Sequence, residues 1–124
     1  MGMDSDLSGI KPEPPPIVKD GQVSVTKEAM ETVREVGGKV EAVSCVLEDL
    51  ALRRHAGIKK YGTELTTFNG RDALVDAYQE ALDLLVYSQQ AATESEDPAI
   101  EEMVRRTSLV ALDIRCLLNE RKKA

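Results

Sequence analysis

Seven apolar residues, Ala29, Val33, Val36, Val40, Val43, Leu47 and Leu50, follow one another at gaps of 4, 3, 4, 3, 4 and 3. That spacing is the seam of an amphipathic helix laid against another helix. It passes straight through Gly37 and Gly38, which occupy positions off the seam. The pattern therefore predicts one helix over about residues 26–56, roughly 45 Å long at 1.5 Å per residue. A break at Gly37-Gly38 is the competing reading, since each glycine costs about 1 kcal/mol in a helix interior. Thr26 stands as the expected N-cap, with Glu28 and Glu31 in the first turns, where the helix dipole favours anions.

Two further helices are expected. Arg71 to about Ala92 forms the second, with Leu74, Ala77, Tyr78, Ala81, Leu82, Leu84 and Leu85 covering most directions around its axis, so that it should be mostly buried. Asp97-Pro98 pairs an N-cap with proline at the first helical position and opens the third, over about 98–120. Its seam is Ile100, Met103, Thr107, Val110, Ile114 and Leu117. The short link makes the last two helices antiparallel neighbours. Apolar residues are 42% of the 124 but aromatics only 3%, so the core must be Leu, Val, Ala and Met. The expected fold is all-α, an antiparallel helical bundle with one long N-terminal helix. Its modest burial per residue makes it oligomeric, a homodimer or homotetramer. Residues 1–24 hold four of the five prolines, three of them consecutive at Pro14, Pro15 and Pro16. They read as a disordered or strap-like tail ahead of a helical domain at 25–124.

The charge of −6 argues against a nucleic-acid polymer as partner, because such binders neutralise phosphates with a net basic surface. No apolar run approaches the ~20 residues of a membrane span, and the N-terminus lacks a signal-peptide core, so no membrane is expected and cytoplasm is the default. Cys45 and Cys116 read as small core residues in a reducing compartment, and the lone His55 cannot complete a zinc site with them at any standard spacing. Arg53, Arg54 and His55 close the long helix, where cations suit the dipole.

The chemistry-bearing pattern lies in the middle helix. Asp72, Asp76, Glu80 and Asp83 fall within about 80° of one helix face, and no lysine or arginine occurs between Asp72 and Val104. Like charges at that spacing repel, so the stripe needs an outside counterion: a divalent metal or a basic surface from elsewhere in the fold. Mg²⁺ or Mn²⁺ wants oxygen ligands, for which Asp76, Glu80 and Asp83 are candidates, with Glu48 the best donor from another helix and Glu41 and Asp49 near it. Tyr87 extends the same face. The connection over 57–70 supplies Lys59 and Lys60 for phosphate oxygens, with Arg71 just beyond it, and Tyr61 and Asn69 for a base. The plain structural alternatives are a solvated acidic face and a helix C-cap followed by a turn.

The segment Lys60-Tyr61-Gly62, then Asn69-Gly70-Arg71-Asp72-Ala73, Asp76-Ala77-Tyr78-Gln79-Glu80-Ala81-Leu82-Asp83-Leu84 and Tyr87, is similar to small phage-type MazG-like proteins, of the all-α nucleoside triphosphate pyrophosphohydrolase superfamily. The resemblance covers about residues 48–90. It implies helical bundles assembled as dimers or tetramers, and Mg²⁺- or Mn²⁺-dependent cleavage of a (deoxy)nucleoside triphosphate to monophosphate and pyrophosphate in the nucleotide pool, in the host cytoplasm if phage-encoded. Glu80-x-x-Asp83 matches the second half of the family's paired acidic motif, whereas no Glu-x-x-Glu stands between about 48 and 67. The leading expectation is such a hydrolase, with Glu80, Asp83 and Glu48 catalytic and Glu48, Asp76, Glu80 and Asp83 holding metal. A non-catalytic, nucleotide-sequestering helical protein is the alternative, and a helical interaction module the third.

Overall fold

The seam through the two glycines does not make one helix. In the computed structural model, which describes residues 19–123, the chain forms α1 (Val25–Val36), α2 (Val40–Tyr61), α3 (Ala73–Ser95) and α4 (Pro98–Lys123). Gly37 and Gly38 take φ of 70° and 144°, values L side chains rarely adopt, and with Lys39 they turn α1 back onto α2. The expected single helix over 26–56 is thus corrected to two. Glycine's backbone freedom prevailed over a seam that by itself favours continuity. The proline-rich stretch up to residue 18 lies outside the described residues.

The described residues divide into two compact units, one ending at Arg71 and the other beginning at Asp72. In the first, α1 starts two residues earlier than Thr26 suggests. Ser24 is its N-cap, accepting the Lys27 N–H at 3.3 Å. No residue of α1 or α2 is buried. α2 runs on to Tyr61, so Arg53, Arg54 and His55 lie inside it, and Gly62 caps it by donating its N–H to the Ile58 carbonyl at 2.8 Å. The unit closes through its loops. Ser24 and Thr66 form an isolated antiparallel bridge, with Val25 N–H on the Leu65 carbonyl at 3.0 Å and Thr67 N–H on the Val23 carbonyl at 2.9 Å.

In the second unit α3 packs on α4. Asp72 caps α3, its Oδ1 accepting from Leu74 N–H at 3.1 Å and Val75 N–H at 3.4 Å. Asp97 caps α4 as expected, accepting from Ala99 N–H at 2.9 Å beside Pro98. The buried face comprises Val75, Ala81, Ser88 and Ala92 on α3 and Thr107, Ala111 and Leu118 on α4. Small side chains dominate, which lets two helices approach closely. The expected α4 seam is off by one residue in places: Val110 and Leu117 are exposed, while Ala111 and Leu118 are buried. A seam one position over is an equally regular helical stripe, and the register was chosen by what α3 offers. Nor is α3 mostly buried, since Leu84, Val86 and Tyr87 face solvent. Cys45 and Cys116, expected in the core, are both exposed.

Candidate functional site

The acidic stripe on α3 resolves into two parts with different fates. Asp72 is consumed structurally. Besides capping α3, its Oδ2 accepts a 2.6 Å hydrogen bond from Arg121 Nη1 of α4. For this carboxylate the outside counterion is an arginine of the fold. Asp76, one turn on, is half-buried, whereas Glu80 and Asp83 are exposed and take part in no ion pair among the described residues. Tyr87 continues their face, also exposed. Among the described residues no three His, Cys, Asp or Glu side chains gather into a group that could hold a metal. Glu80 and Asp83 therefore offer two carboxylates, not a complete protein cage. Glu48, assigned as their partner, is an exposed residue of α2 in the other unit.

The basic segment is distributed similarly. Lys59, Lys60 and Tyr61 form the exposed last turn of α2, with Lys60 Nζ 5.1 Å from the centre of the Tyr61 ring. A cation over an aromatic face at that distance is a cation–π contact, and lysines at a helix C-terminus suit its dipole. Asn69 is buried, and its Oδ1 accepts the Arg71 N–H at 3.0 Å. That bond shapes the turn before α3, so the Asn69 carboxamide oxygen already has a backbone partner.

The most highly connected polar cluster was not singled out by the sequence. Glu64 accepts from Arg54 through both carboxylate oxygens, Nε to Oε1 at 2.7 Å and Nη2 to Oε2 at 2.8 Å, and it also accepts from the Ser24 hydroxyl. A two-pronged guanidinium–carboxylate pair is the strongest form of such contacts. The Arg54 hydrogen bonds, then that of Ser24, hold the Glu64 carboxyl down at about 2, and the same pairing raises the Arg54 guanidinium above its ordinary value. The cluster joins α2, the loop after it and the start of α1. A signal existed: Glu64 is the one acid between Asp49 and Asp72, in an otherwise basic stretch. The helix-dipole role given to Arg54 is corrected accordingly; it is an ion-pair residue inside α2.

No family model, no curated protein and no solved structure matches this chain. No described helix is long and apolar enough to cross a membrane.

Proposed function

We propose that this protein binds a nucleoside or deoxynucleoside triphosphate together with Mg²⁺ or Mn²⁺ and hydrolyses it to monophosphate and pyrophosphate. The observation that carries the reading is the pair Glu80 and Asp83: adjacent on one exposed face of α3, outside any ion pair among the described residues, in a helix without a single cation. Hard oxygen donors of this kind fit Mg²⁺, which keeps several waters and is held by one or two carboxylates plus substrate phosphates. Such an ion, when bound, neutralises phosphate charge and favours ionisation of a water. Glu80 and Asp83 would hold it, with Asp76 on the same helix as the further candidate ligand. Lys59 and Lys60 supply exposed cations suited to phosphate oxygens, and Tyr61 an exposed ring suited to a base. The similarity of residues 48–90 to MazG-like proteins supports the same choice of substrate. Exposed apolar residues on both helices of the second unit, among them Val86, Leu112 and Leu117, support assembly into a homodimer or homotetramer.

A second reading, nucleotide binding without turnover, is favoured by the diversion of Asp72 to Arg121, which leaves the stripe two exposed carboxylates. One experiment separates the two. The protein is incubated with each NTP and dNTP in Mg²⁺ and in Mn²⁺, and nucleotide products are resolved beside a thermal-shift measurement. Monophosphate and pyrophosphate, abolished in Glu80→Gln with the fold intact, are expected from the enzyme. A thermal shift with the ligand recovered unchanged leaves only the binding protein. Neither product nor shift removes both.

A further inference from the structure

The break between α1 and α2 occurs where nothing in the apolar pattern asks for one. Val36 and Val40, the seam residues on either side of Gly37-Gly38-Lys39, are 79% and 81% exposed, although the seam they belong to runs in register from Ala29 to Leu50. An open apolar cleft of about 310 Å³ lies at the same turn, lined among others by Val33, Val36, Val43 and Val46. Besides the contact of α1 with α2, the polar ties that hold the unit closed lie at one end: the Ser24–Thr66 bridge, Val23 N–H on Thr67 Oγ1 at 2.9 Å, Gln22 Nε2 on the Phe68 carbonyl at 3.0 Å, and the Ser24–Glu64–Arg54 cluster. These ties join the start of α1 and the residues just before it to α2 and the loop beyond it.

We propose that Gly37-Gly38 is a hinge, and that α1 and α2 can straighten into one helix over 25–61 which exchanges α1 with a second copy of this chain. In the exchanged dimer α1 of one copy lies against α2 of its partner in the same antiparallel sense as in the closed unit. The bonds of Ser24, Val25 and Thr67 then re-form between chains, so the open form forfeits none of them. The gain is at the hinge. Val36 and Val40 of the two copies meet across the two-fold axis and complete the seam that the closed form leaves in water. The loss is two glycines placed in a helix interior. A second copy is the occupant because this chain alone carries both the matching seam and the loop that receives Ser24. The inference is independent of the nucleotide reading.

Gly37→Ala/Gly38→Ala tests it cleanly. A Cβ at Gly37 would meet nothing within 4 Å, and one at Gly38 only the Val43 Cγ2 at 3.9 Å, so the closed form has space and only the positive φ is penalised. The straight helix meanwhile gains two good helix formers. Together these shift the equilibrium toward the exchanged form by about a hundredfold or more. In a Cys45→Ser/Cys116→Ser background, spin labels are placed at Glu28 and Lys59 and the protein is diluted into unlabelled protein, so that only distances within one chain are read. The expected result is a distance near ~47 Å in the variant, that of 31 residues of helix, with doubled mass at a concentration where the parent is closed. Adding Val36→Asp/Val40→Asp, tolerated at exposed positions of the closed unit, should restore the short distance. A short distance in the double alanine variant overturns the proposal. So does loss of helix in that variant, or a long distance that persists with both aspartates in place.

Discussion

The two helical hairpins of this protein have similar connections and different ways of holding together. Two residues, Glu96 and Asp97, join α3 to α4, and three join α1 to α2. Yet α3 and α4 bury seven residues along their contact, whereas α1 and α2 bury none. Length is one reason. α1 has 12 residues against the 22 of α2, so it covers only about half of its partner, while α3 and α4, at 23 and 26, match end to end. Residue size is another, because Ala81, Ala92 and Ala111 admit close approach. Polar bonds take up the difference. The first hairpin is tied by Glu64 and its partners at the open end, the second by packing along its whole length and by an aspartate cap at the start of each helix. A regular seam is therefore not sufficient for a core; it needs a partner of matching length.

The largest effect that would break this comparison is in the packed hairpin. Leu118→Ala removes a side chain that is 5% exposed and should cost about 2–4 kcal/mol in urea denaturation. The same truncation at Leu52, 65% exposed on α2, should stay within about 0.5 kcal/mol. Equal losses at the two positions would mean that α2 is covered as well as α4. A smaller effect is expected at Asp72. Asp72→Ala removes the α3 cap and the Arg121 partner together and should cost about 1 kcal/mol, while Asp72→Asn keeps most of the cap and loses less.

The smallest global effect sharpens the other side. Because the Glu64 carboxyl is held down at about 2, its tie contributes fully above the ordinary carboxylate range near 4.5 and fades as pH falls from there through about 2. Amide exchange at Val25 and Thr67 should accelerate over that acid window relative to Ala111. In Glu64→Gln those two amides should already exchange faster at neutral pH, and the acid dependence should flatten. An unchanged exchange rate in Glu64→Gln would place the closure of the first hairpin in its backbone bridge alone.

What the residues determined by themselves is local. Helical periodicity, the Asp97-Pro98 start, the proximity of the last two helices and the cation-free acidic face of α3 all follow from short-range spacing, and all are legible without a structure. Which of two adjacent stripes on α4 is buried was not, because Val110 and Ala111, like Leu117 and Leu118, are both apolar, and the smaller Ala111 is the one buried where the helix meets α3. The tertiary structure alone decided that the seam breaks at Gly37-Gly38, that Asp72 goes to Arg121, and that Glu64 meets Arg54 and Ser24. Each of those outcomes joins residues separated along the chain or sets the backbone freedom of two glycines against a continuous apolar seam. Periodicity carries no information about either.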